Sequence, residues 1–127
     1  MSRIKVKTIF ELDRPSFLDS DLIRLKTGGV TIDATKVSAG ADGRKVLRAG
    51  YPVGKDTATG KYVPCVYNES TQVWEPTPEY LTLLDVDVTD GDADVPVFDW
   101  GRVIAAALPV TVNDALKAAL PGITFVE

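Results

Sequence analysis

The stretch "YPVGKDTATGKYVP", residues 51–64, has two glycines with a lysine straight after the second. It reads either as a phosphate-cradling loop or as a turn between two strands. A Walker A loop places four residues between its glycines and a hydroxyl residue after its lysine. Here five residues separate Gly54 from Gly60, and Tyr62 follows Lys61. No amphipathic helix follows, so no helix N-terminus is offered to an anion. The reading that remains is a β-hairpin, with a strand over 46–54, a flexible tip "KDTATG" and a return strand over 61–67. Gly60 supplies the positive φ that closes such a turn.

Outward from this hairpin, extended signals dominate. "VTIDATKV" (30–37) alternates Val30 and Ile32 with Thr31 and Asp33, and "SAGADGR" (38–44) is a loop with an Asp-Gly turn. "YLTLLDVDV" (80–88) and "VPVFDWGRVIAAAL" (95–108) read as strands, and "ESTQVWEPTPE" (69–79) as a polar excursion between them. Turn signals recur at short, fairly regular intervals, the mark of a β-dominated fold. One helix is well signalled in "PVTVNDALKAALPG" (109–122). Val112, Ala115, Leu116, Ala119 and Leu120 share a face, Asn113 is the N-cap, and Pro121-Gly122 ends it. "ITFVE" closes the chain as a strand. Residues 17–27 read equally as helix or strand.

At the N-terminus, "RIKVKTI" alternates Ile4 and Val6 with Arg3, Lys5 and Lys7, as a half-exposed strand does. Pro15 then forbids a central ladder position. The expectation is an extended arm over 1–27 and a compact β domain over 28–127. No apolar run in the 127 residues is long enough to span a bilayer, and the N-terminal alternation is unlike a secretory signal.

The chain has no histidine and one cysteine, Cys65. That rules out Ser–His–Asp and Cys–His chemistry and an intramolecular disulfide. Cys65 is expected to pack as a small strand hydrophobe. Net charge is −4, unevenly spread: residues 1–61 hold 12 Lys/Arg against 7 Asp/Glu, and residues 62–127 hold 2 against 11. Such polarity can orient a protein on a partner, but without a dense basic stripe nucleic acid is not an expected one. The acidic run "DVDVTDGDADV" fails the EF-hand pattern, since counting from Asp85 puts Asp90 where glycine is required. Asp85 and Asp87 are expected on the solvent face of a strand, opposite Val86 and Val88, with Asp90-Gly91 as the turn. An irregular calcium site stays as the other reading. Trp74, Trp100, Tyr51, Tyr62, Tyr67 and Tyr80 read as core or subunit interface, with a sugar-stacking platform as the rival. Trp74 and Trp100, in segments that need not be core, are the candidates for an oligomer interface.

Taken in order, Leu47 to Gly54, Thr59 to Pro64, Leu83 to Asp92 and Gly101 to Val103 resemble the bacteriophage head decoration proteins. In that family the order is an "L-x-A-G-x-x-V-G" step, a "T-G-K-Y-V-P" return, an "L-L-x-D-V-D-V-T-D-G-D" strand and turn, which reads "LLDVDVTDGD" here, and a "G-x-V" strand leading to a helix. The likeness covers about residues 28–127. It implies a non-enzymatic protein on the outer face of the expanded head, often a homotrimer, holding neighbouring major capsid proteins against internal DNA pressure. It would be synthesised in the host cytoplasm and reside on the virion surface. The basic arm, with Arg3, Ile4, Lys5, Val6, Lys7 and Ile9, would supply capsid binding by adding a strand to a partner's sheet. The expected fold is β-dominated α+β: a small, β-tulip-like domain with one helix in the C-terminal region and the extended N-terminal arm. No metal, nucleotide, nucleic acid or membrane is expected to be involved. The rival from another class is a β-rich carbohydrate-binding or adhesion module.

Overall fold

A computed structural model describes residues 17–19 and 22–126. The arm residues Arg3, Ile4, Lys5, Val6, Lys7 and Ile9 lie outside the described residues. The described chain is mostly β-sheet with one short α-helix.

The quoted stretch is a hairpin. Strand β4 (Pro52–Lys55) pairs antiparallel with β5 (Tyr62–Pro64), setting Gly54 against Val63 and Lys55 against Tyr62. At the tip the Asp56 carboxylate accepts the Ala58 N–H at 3.0 Å, and its carbonyl accepts the Gly60 N–H at 2.7 Å. Gly60 takes φ +76°, as the sequence predicts.

The first hairpin strand is shorter than the expected 46–54. β3 (Val46–Leu47) leaves the sheet and pairs with β9 (Val86–Asp87). "YLTLLDVDV" splits at the same level, with β8 (Tyr80–Thr82) staying beside β4. Thr82 holds the two breaks together. Fully buried, its hydroxyl donates to the Arg48 carbonyl at 3.0 Å and accepts the Tyr51 N–H at 3.1 Å. Gly50, at φ +81°, lies where a Cβ would stand 2.7 Å from Leu108 Cδ2.

The remaining strands are β1 (Arg24–Leu25), β2 (Val30–Ile32), β6 (Val66–Asn68), β7 (Val73–Glu75), β10 (Ala93–Val95), β11 (Val97–Ile104) and β12 (Ile123–Val126). The main sheet runs β1-β11-β8-β4-β5-β2-β10, with β12 also along β11. Pairing is antiparallel except β2 with β5 and β11 with β12. Arg24–Leu25 thus resolves the ambiguous 17–27 segment, in part, as strand. Asp33 departs from its expected strand position: it is buried and caps a 3-10 turn over Ala34–Lys36, accepting the Thr35 N–H at 3.0 Å.

The sheet buries apolar side chains on both faces. One core gathers Phe17, Leu18, Cys65, Trp74, Leu81, Phe98, Val103, Leu116 and Ile123. The other gathers Val30, Ile32, Leu47, Val53, Val86, Val88, Val95 and Val97. Val97 and Phe98, adjacent in β11, enter opposite cores, as the strand period of two requires.

The "polar excursion" 69–79 is corrected by the structure. Part of it is β7, which pairs with β6 in a second hairpin carrying Trp74 inward. Trp74 Nε1 donates to Asn113 Oδ1 at 3.0 Å, and the same oxygen accepts the Leu116 N–H at 2.9 Å. Asn113 therefore caps α1 (Asp114–Ala119) and anchors the hairpin to it.

Candidate interaction surface

β11 positions the most exposed aromatic side chain of the domain. Its register against β1 sets Trp100 opposite Arg24 and Phe98 opposite Leu25, so Asp99 is an extra residue, a β-bulge. A one-residue slip exchanges the faces of every later side chain. Past Asp99, Gly101 and Val103 turn to the core, while Trp100 and Arg102 turn outward. Trp100 is 49% exposed. Gly101 is required there, because a Cβ would lie 2.9 Å from Ile23 Cγ2.

Two ion pairs flank the indole. Arg24 donates through Nε and Nη2 to the two Asp99 oxygens, at 2.8 and 3.0 Å. Arg102 Nε donates to Asp19 at 3.0 Å. The Asp99 carboxylate raises the Arg24 pKa further above its ordinary value. Thr124, opposite Arg102 on β12, completes the exposed face.

Trp74, the other interface candidate, belongs to the core and is 8% exposed. That corrects its assignment to a segment that need not be core and removes it as an accessible anchor. The six aromatic residues do not gather on one platform. Tyr67 and Trp74 pack together inside, with ring centroids 5.5 Å apart, and Tyr62 and Tyr80 pair at 6.0 Å. Burial, with Glu79 nearby, pushes the Tyr62 phenol up to about 12.

The acidic run serves the backbone. Asp85 accepts the Ala49 N–H at 2.6 Å, and Asp92 accepts the Ala34 N–H at 2.8 Å and Lys61 Nζ at 2.5 Å. Asp94 takes the Thr31 hydroxyl at 2.5 Å. Asp87 is bonded by Thr89 and Arg44, which hold its carboxyl well below the usual range. Val86 and Val88 are buried between these acids, in the predicted alternation. No three His, Cys, Asp or Glu side chains among the described residues are grouped to hold a metal ion. Cys65 is fully buried and its thiol is pushed up to about 12 by burial, far from a nucleophilic thiolate.

No protein-family model, curated protein or solved structure matches this chain.

An open cleft of about 730 Å³ lies between the hairpin tip and β6–β7, with Lys36 and Lys55 alongside Glu75 and Glu79 and apolar Val63 and Val66. Its charges are mixed. The sequence alone pointed to Trp100, but the bulge that turns it outward needs the register of β1, which "LIRL" does not announce.

Proposed function

We propose that the protein is a structural capsid decoration protein, binding the outer surface of an expanded tailed-phage head as a homotrimer and cementing it. The observation that carries this reading is the order of the four segments, Leu47 to Gly54, Thr59 to Pro64, Leu83 to Asp92 and Gly101 to Val103. The reading is also supported by how the side chains with chemical potential are used. The carboxylates of the 85–94 run bind backbone and basic groups, and the thiol is buried. The partners are the major capsid protein, met through the basic arm, and other copies of the chain.

The deciding experiment mixes purified protein with expanded heads that lack it, with unexpanded heads and with a panel of immobilised glycans. Co-sedimentation with expanded heads alone is the expected result. Glycan capture without head binding would make the protein an adhesion module. Light scattering should give a trimer mass in solution or on the heads. Monomers in both settings would overturn the trimer.

A further inference from the structure

One carboxylate of the acidic run holds nothing. Asp85, Asp87, Asp92 and Asp94 each accept a hydrogen bond, whereas the exposed Asp90 carboxylate has no hydrogen-bond partner among the described residues. Arg44, a cation that feels its charge, is already bonded to Asp87. Gly91 follows, at φ +146°, with nothing within 4 Å of where a Cβ would stand. Before a glycine, an aspartate carboxyl is most easily reached by the next main-chain nitrogen, because no Cβ on that next residue hinders the five-membered ring.

The chain has a second such pair, Asp42–Gly43, and the structure separates the two. The Asp42 carboxylate accepts the Arg44 N–H at 3.1 Å. It sits in a turn closed by the Gly43 N–H on the Gly40 carbonyl at 3.0 Å and the Gly40 N–H on the Arg44 carbonyl at 2.8 Å. That carboxyl must give up its bond before it can swing to the Gly43 nitrogen. At Asp90 no carboxylate bond has to break, and the Gly91 N–H is held by the Val88 carbonyl at 3.2 Å.

We propose that Asp90–Gly91 is a self-modification site, passing through a cyclic imide to an isoaspartyl linkage and so releasing the clasp made by Asp92. The Gly91 nitrogen gives up its proton and attacks Asp90 Cγ. The N–Cγ bond forms, the bond from Cγ to the hydroxyl of the protonated carboxyl breaks, and water leaves. Water then adds to the former main-chain carbonyl carbon of the imide. Its hydroxyl goes to that carbon, its proton to the nitrogen, and the bond between the two breaks. Composition is unchanged and nothing is oxidised, but the main chain is now one carbon longer. Val88 is fully buried and Ala93 is paired with Ile32, so both ends of the turn are pinned. The residue that yields is Asp92 between them, which joins the Ala34 N–H at 2.8 Å to Lys61 Nζ at 2.5 Å.

The test ages full-length protein in warm neutral buffer made with heavy-oxygen water, then digests it in ordinary water. The peptide spanning 90–91 should gain heavy oxygen several-fold faster than the peptide spanning 42–43, and should accept methyl groups from an isoaspartyl methyltransferase. The melting temperature of the unaltered protein should fall in step with that label. Asp90→Glu, which needs a larger ring, should melt as the fresh protein does and take no label there. Asp92→Asn, whose clasp is already weakened, should lose less melting temperature for the same label. No label at 90–91, label retained in Asp90→Glu, or labelling at 42–43 as fast, overturns the site. Label without a fall in melting temperature, or an equal fall in Asp92→Asn, overturns the release of the clasp.

Discussion

Thr82 shows how much rests on one hydroxyl. It is wholly buried between the two points where strands leave the main sheet, and it serves both a carbonyl and an N–H. Thr82→Val keeps the shape but leaves the Tyr51 N–H and the Arg48 carbonyl without that partner. An expected loss of about 1–3 kcal/mol should appear in urea unfolding, and Thr82→Ser should recover most of it; equal losses in the two variants would mean that packing, not the hydroxyl, matters. Acid sensitivity belongs to this scale too. Asp87, bonded by Thr89 and Arg44, and Asp92, bonded by the Ala34 N–H and Lys61, have folded pKa values below their ordinary ones. Their stabilisation is complete above the usual carboxylate value, about 4, and is lost as pH falls through the lower folded values. The melting temperature should therefore drop below about pH 4, and Asp87→Asn should flatten that drop. An unchanged acid slope in the variant would exclude Asp87 as a source.

Elements were legible where a local pattern fixed them. Gly60 announced the β4–β5 hairpin, and the spacing of Val112, Ala115, Leu116 and Leu120 with Asn113 ahead announced α1. They were illegible where a distant contact decides. Val73 and Trp74 are the apolar pair among polar neighbours in "ESTQVWEPTPE", and that segment becomes a strand by pairing with β6, where Trp74 packs on Tyr67 and bonds Asn113. β3 and β9 likewise read as continuations of their neighbours, because nothing in "VLRAG" or "LLDVD" reveals that the chain changes sheets. Asn113→Ala tests the link between the β6–β7 hairpin and α1. It removes a helix cap and leaves the buried indole N–H without its acceptor, so a loss of about 1–2 kcal/mol is expected. Trp74 fluorescence should also shift to the red, as its environment becomes wetter. A variant with unchanged stability and emission would show that the shared oxygen joins nothing.

For the whole molecule, the charge imbalance has a partly internal explanation. Lys61 from the basic half meets Asp92 from the acidic half, Arg44 meets Asp87, and Arg24 meets Asp99. Three of the twelve basic residues of the first half are thereby paired with the acidic half, and Arg3, Lys5 and Lys7 lie outside the described residues. Every named strand lies at residue 24 or later, and Phe17 is the first core side chain described, 3% exposed against Phe98. A truncation must stop short of it. Removing residues 1–14 should leave the melting transition nearly unchanged and abolish or greatly weaken attachment to expanded heads. Because the lost charge is basic, attachment of the intact protein should weaken as salt rises. Replacing Ile4 and Val6 together by Asp should reproduce most of the loss, since seating two carboxylates in a strand-addition groove is costly. Unfolding of the truncated protein would make the segment part of the domain's own sheet. Normal head binding by it would move the contact to the 55–60 hairpin tip or the acidic 85–94 edge.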